Sequence, residues 1–285
     1  MAEAAIPLSP RLLLTLLPCG LVLGLVMLPL QGLSTLGFLL QRQWQAGVPG
    51  LFDPLLPLGV TCGTLTALAL AWGPLKPGRG GGLNGVEALQ RQPLIAEGRE
   101  RALVGLRGPA QLARLVLLAV SHLAGLAVGI ESPAASFGAS TLLALRRRLK
   151  VLQALPLPLA AAVGAGAGLA AAFRSPLLGV TYALEELSAE RGLPLVLPTL
   201  LLAGVASLVT SDLGEPARVQ ALLVGPPPLS LLPWALLLTL AAALLGVIFL
   251  RLLVALTPRL QGMLRNHFLP TALAVPLPRR GMPRT

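Results

Sequence analysis

Charged residues cut this chain into long stretches that carry almost no charge. Uncharged runs span Leu12–Gln41, Pro54–Leu75, Val151–Phe173, Gly192–Ser211 and Val219–Leu250, and Leu115–Leu145 carries Glu131 alone. A helix needs about 20 apolar residues to cross the hydrocarbon core of a bilayer, and every run reaches that length. A run of about 30 residues reads as a strongly tilted helix or as two broken segments. Pro and Gly interrupt many of the runs. That suits re-entrant and half-length helices better than a simple up-and-down bundle. The runs are rich in Leu and Ala and do not alternate, which disfavours a membrane β-barrel.

Composition agrees. Of 285 residues, 55% are hydrophobic and 12% are charged, about half the charge of a soluble domain. Mean hydropathy is +0.80. A soluble globular enzyme and a disordered chain are both excluded. The net charge of +11 is read as loops facing anionic lipid, because the basic residues sit between apolar runs. No nucleic-acid partner is expected, since aromatics make up only 4% of the chain. The densest basic cluster is Arg146, Arg147, Arg148 and Lys150, and the positive-inside rule puts it on the cytoplasmic side.

The chain divides into an N-terminal tail (1–11), a transmembrane domain (12–265) and a Pro/Arg-rich C-terminal tail (266–285), unstructured from Pro270. The first apolar run is longer than the apolar core of a cleaved signal peptide, about 7–15 residues, and is read as an uncleaved membrane helix. Cys19 and Cys62 lie inside apolar runs and read as small buried hydrophobes. His122 and His267 each stand without other metal ligands, and no metal or organic cofactor is expected.

Three features could carry chemistry. The first is Glu131, in Gly129-Ile130-Glu131-Ser132-Pro133. An ionisable residue inside an apolar run is expensive and marks function by default. Pro133 suits the first turn of a helix and Ser132 suits its N-cap. The helix starting here would present free N–H groups and a positive dipole end beside Glu131, an arrangement that binds anions. The plainer alternative is a carboxylate that only caps its helix.

The second feature is the stripe Gly164-Ala165-Gly166-Ala167-Gly168, followed after Arg174-Ser175 by a helix that Pro176 starts and Glu185-Glu186 close. The stripe alone is helix packing. The glutamates oppose the dipole at a helix C-terminus, so either solvent or a function justifies them. The third feature is Gly80-Gly81-Gly82-Leu83-Asn84-Gly85. Glycines ahead of a short helix, here Leu83–Arg91, leave backbone N–H groups approachable as an anion nest. Alone, it is a flexible loop. A polar excursion, about Ala96–Pro109, follows.

In this order the three features resemble the CLC family of chloride channels and chloride–proton antiporters. Its first motif, G-S-G-I-P, falls on Gly80–Asn84, and its G-x-E-x-P on Gly129, Glu131 and Pro133. A further stretch, A-G-L-A-A-A-F-N-A-P-L-A-G, is matched by Ala167 to Gly179 and ends in Glu185-Glu186 at the family's spacing. The resemblance implies an all-α polytopic membrane protein with tilted and re-entrant helices, carrying the first inverted repeat and the start of the second. It implies that Glu131 gates the anion path and shuttles a proton, that Glu186 passes protons on the inner side, and that Glu185 supports it. Backbone at Gly80, Gly81, Gly82, Leu83, Ile130, Ser132 and Pro133 would hold the anion.

Departures are visible. Gly81 stands where the family has Ser, and Asn84 where it has Pro. No G-x-F-x-P occurs, and the only tyrosine, Tyr182, lies in the first-repeat region. The chain therefore looks truncated or split. The expected function is chloride transport with coupled protons, by exchange or as a channel. It would act from a multi-pass position in the plasma or inner membrane, among lipid, as a homodimer and possibly with a second half-chain. A non-conducting half-transporter or accessory subunit is the alternative. An intramembrane enzyme is the remote one, since no metal ligand or nucleophile accompanies the glutamates. The protein is read as not an enzyme.

Overall fold

The computed structural model describes residues 8–47, 55–90, 96–126, 128–187, 192–214 and 229–266. The tail from Pro270, His267 and residues 1–7 lie outside that set. Among the described residues there are ten α-helices and no strand: α1 Pro10–Gly47, α2 Leu55–Trp72, α3 Leu83–Gln90, α4 Ala96–Gly105, α5 Gly108–Leu123, α6 Glu131–Arg148, α7 Leu157–Phe173, α8 Pro176–Tyr182, α9 Leu193–Asp212 and α10 Leu232–Asn266. This is an all-α membrane protein. Three helices are long and apolar enough to cross a bilayer, over Pro10–Leu33, Leu193–Asp212 and Leu232–Pro258. A fourth span is possible if α4 and α5, bent by 53°, count as one broken pair.

The first unit, Met1–Pro216, is built around α7. Every residue from Leu159 to Ala171 is buried. A helix apolar all round belongs inside other protein. Its small residues let neighbours come close. Gly166 meets Gly179 of α8 backbone to backbone, and Gly168 meets Gly138 of α6. The stripe is therefore a packing surface, as the sequence suggested.

Helix α1 lies along the same core. Leu12, Leu16, Cys19, Leu23, Met27 and Leu30 are its buried stripe, spaced three and four apart. Leu14, Leu21 and Leu25 on the other face are exposed. In a bilayer that outward face meets lipid. Gly20 and Gly24 let α1 close on Val205 and Val209 of α9. Cys19 is buried as expected, but Cys62 is exposed on α2. Cys62 faces outward on a shorter apolar helix, so its place in an apolar run did not predict burial inside protein.

The C-terminal end of α7 shows how the core treats polar groups. Arg174 adopts a left-handed conformation (φ 55°, ψ 34°) and ends the helix. Carbonyls of the last turn lose their helical donors there. Gln31 Nε2 of α1 donates to the Ala171 carbonyl at 3.0 Å, and Thr210 Oγ1 of α9 donates to the same oxygen at 2.8 Å. Two helices distant in sequence thus satisfy the end of the third.

The run Leu115–Leu145 takes the second of its two expected forms, two broken segments: α5 stops at Leu123 and α6 starts at Glu131. The polar excursion holds a helix, α4, across Ala96–Gly105. The last apolar helix passes Arg251 and reaches Asn266. A single Arg with a long stem does not end an apolar helix, because its head can reach a polar layer. That helix, α10, belongs to the second unit, Ala217–Thr285. It carries one internal proline, Pro258, and follows a short 3-10 turn, Leu229–Leu231.

Candidate functional site

The site begins at the glycine loop. A 3-10 turn at Lys76–Gly78 leads into it, and Gly78 lies against the backbone of Ala113 and Arg114 on α5. Gly80 (φ 77°) and Gly82 (φ 86°) then take left-handed conformations, which glycine adopts without a Cβ penalty. The reversal they produce seats the loop on the first turn of α6. A Cβ on Gly81 would collide with the Ser132 side chain, and one on Gly82 with the Ser136 hydroxyl and the Arg114 guanidinium. Leu83 opens α3 and packs against the core.

Helix α6 starts one residue before the expected cap. Ile130 occupies the N-cap position without a side-chain cap, and Glu131, Ser132 and Pro133 are the first helical residues. Ser132 is therefore not the cap. The Ala134 N–H already bonds the Ile130 carbonyl at 2.8 Å, so the first turn closes on the residue before Glu131. Glu131 is exposed, and its carboxylate folds back over Gly129. It sits at the positive end of the helix dipole, where a negative charge is favoured.

Beneath the loop lies a polar group that sequence reasoning passed over. Arg114 of α5 is 4% exposed. Its Nε donates to the Gly80 carbonyl at 3.0 Å. Its Nη1 donates to Gln111 Oε1 at 2.7 Å and to Ser136 Oγ at 3.1 Å. Gln111 Nε2 in turn donates to Ser136 Oγ at 3.1 Å. All these partners are neutral. Arg114 directly precedes the run Leu115–Leu145. The available signal was positional: Gln111 and Arg114, three apart, fall on the stripe Ala110, Ala113, Leu117, Leu118 that α5 buries. A polar pair on a buried stripe indicates a built network rather than a solvated helix end.

The second acidic group sits where α8 gives way to a π-turn, Ala183–Leu187, that contains Glu185 and Glu186. Single π-turns within helices often mark functional sites. Ser175 caps α8, its hydroxyl accepting from the Leu178 N–H at 3.4 Å. Glu185 and Glu186 are exposed, while Leu187 between them and the next segment is buried. Helix α3, which carries Glu87, lies against both α6 and the π-turn, and Tyr182, at the head of that turn, is half-buried against the core. Glu87 was missed, because on sequence alone it is one more charge in a polar stretch.

His122 is buried, and its Nδ1 pairs with the Leu118 carbonyl at 2.8 Å, so it serves its own helix. The site thus comprises a glycine loop seated on a helix N-terminus, a carboxylate at that terminus, a buried cation beneath, and a second carboxylate group nearby. Such a surface can hold an anion and offer it a competitor that takes up a proton.

A family model described as voltage gated chloride channel matches residues 86–277. The match spans more than half of the chain and takes in Glu87, Arg114, Glu131, Tyr182, Glu185 and Glu186, beginning just past the glycine loop. No curated protein and no solved structure matches the chain.

Proposed function

Because the chain belongs to the voltage gated chloride channel family, whose members carry chloride across membranes, we propose that it moves chloride through the membrane in exchange for protons. The observation that carries this reading is Glu131 in the first turn of α6, with the Gly80–Gly82 loop seated on that same turn. A helix N-terminus and an exposed glycine backbone attract an anion. A carboxylate at the same place competes with that anion when charged and withdraws when protonated. Anion movement and proton movement then become alternatives at one site.

In this reading Glu131 is the gate. Backbone at Gly80, Gly81, Gly82, Leu83, Ile130, Ser132 and Pro133 holds the anion. Glu186 hands protons to and from the inner side, and Glu185 supports its turn. Helix α3, which carries Glu87 and lies against both α6 and the π-turn, supports a proton route between the two ends. We further propose that the chain works as a homodimer embedded in the plasma or inner membrane through several spans.

The test is reconstitution of the full chain into liposomes under a chloride gradient, with chloride and pH recorded together. Chloride efflux that drives proton uptake supports exchange. Chloride efflux without proton movement would leave a channel, and no efflux would overturn transport by this chain alone.

A further inference from the structure

We propose that the end of α6 and the turn after it form a site for the headgroup of an anionic phospholipid, with Arg147, Arg148 and Lys150 as its cations and Leu149 and Val151 against the acyl chains. The site lies at the opposite end of α6 from Glu131 and does not depend on the transport reading above.

Four cations fall within five residues, Arg146 to Lys150. Cations in a last helical turn can serve merely to offset the helix dipole. The structure divides the four. Arg146 is half-buried, and its guanidinium turns back on the chain: Nε donates to the Leu155 carbonyl at 2.8 Å and Nη2 to the Gln153 carbonyl at 3.4 Å. It holds the connection to α7 in place. Arg147, Arg148 and Lys150 are exposed and make no hydrogen bond or ion pair among the described residues. The chain offers them little counter-charge. No acidic residue occurs from Ser132 to Leu184, and α4 carries Glu97 and Glu100 but Arg99 and Arg101 as well.

The turn that presents these cations is fixed. It is a 3-10 turn, Lys150–Ala154, anchored in the core by Leu152 and by Leu155 just after it, both fully buried. Its neighbouring hydrophobes point outward: Leu149 is 38% exposed and Val151 39%. Cations and exposed hydrophobes thus alternate from Arg148 to Val151. Water solvates such cations but not the hydrophobes between them, whereas the boundary layer of a bilayer solvates both.

Only residues 149–156 join α6 to the central helix α7, so the connection stays near the bilayer surface. Three charges cannot enter the hydrocarbon cheaply, which leaves the headgroup layer. A lipid phosphate at that depth meets three cations while its acyl chains run past Leu149 and Val151. A soluble polyanion would leave those two side chains in water. A zwitterionic lipid would leave the excess positive charge unbalanced. Charge and apolar contact together select an anionic lipid.

The experiment uses the full purified chain in detergent, mixed with phosphatidylglycerol and phosphatidylcholine of identical acyl chains. Retained lipid is counted by native mass spectrometry, and affinity is read from the shift in thermal unfolding midpoint. Wild type is expected to retain phosphatidylglycerol in preference to phosphatidylcholine. One basic residue near an anionic surface is worth about fivefold in affinity. Arg148→Gln or Lys150→Gln should therefore weaken phosphatidylglycerol about fivefold, and Arg147→Gln, Arg148→Gln and Lys150→Gln together about a hundredfold. The control removes the same charge elsewhere: Arg11→Gln, Arg107→Gln and Arg251→Gln together should leave binding as in wild type. Glycerol 1-phosphate, the headgroup without its chains, should compete weakly. Should the triple variant fail to fold, the single variants decide. Equal retention of the two lipids by wild type would overturn the inference, as would undiminished phosphatidylglycerol binding by the variants. An equal loss in the control would reduce the site to a general effect of net charge, and competition by glycerol 1-phosphate as strong as by the lipid would make it a site for free phosphate; either result overturns it.

Discussion

Gly138 of α6 and Gly164 of α7 stand backbone to backbone: a Cβ on either would run into the carbonyl oxygen of the other. The contact is reciprocal, so neither side can yield. It fixes how closely α6 approaches the central helix. Because Glu131 and Ser132 open α6, it also fixes where the helix N-terminus lies relative to the glycine loop.

Replacing Gly138 by Val should therefore act on both stability and site. Overpacking a tight contact costs roughly 1–3 kcal/mol, occasionally more. The expected outcome is a lowered unfolding midpoint in detergent and a weakened anion response, from a residue that touches no ion. A variant as stable as wild type would mean the two helices can separate freely.

Glu131→Gln keeps the side chain's size and removes its charge and its proton. Any chloride flux should lose its pH dependence and its coupling to protons. Simultaneous recording of chloride and pH in liposomes checks this. Coupled movement that survives the substitution would place the gate elsewhere.

Glu186→Gln should spare chloride movement and abolish coupled protons, while Glu185→Gln should do less. The asymmetry follows from the family resemblance, which implies inner proton transfer for Glu186 and a supporting role for Glu185. Equal losses from both would point to a pair that only shapes the π-turn.

Arg174 holds φ 55° without being glycine. A left-handed residue with a Cβ carries about 1–2 kcal/mol of strain, of which a glycine recovers part and returns some through its looser unfolded chain. Arg174→Gly removes the strain together with the side chain's own interaction, so the unfolding midpoint should rise by less than the strain alone would give. A fall instead would mean the Arg174 side chain holds a contact worth more than the strain.

Much of this protein was legible in one dimension. Long uncharged runs specify helices in lipid, because only a helix satisfies its own backbone there. Pro133 and Pro176 announced the first turns of α6 and α8. The glycines at 164, 166 and 168 announced close packing, which their contacts with Gly138 and Gly179 bear out. Other features could not be read from sequence. Charge spacing left Leu115–Leu145 open between one tilted helix and two broken segments, since residues 124–130 are uncharged. Arg114 looked like the rim of a span.

What the sequence determined by itself is the solvent of each segment and the places where helices must start. Backbone hydrogen bonding and proline geometry act locally, so those outcomes need no partner. Only the tertiary structure decided which polar side chains face inward. Gln111 and Arg114 meet Ser136 across 25 and 22 positions of chain, and the Gly81–Ser132 contact spans a longer gap still. Whether a charge on a helix meets lipid headgroups, a carbonyl or an anion depends on which helix lies opposite, and that is set by the packing of small residues around α7.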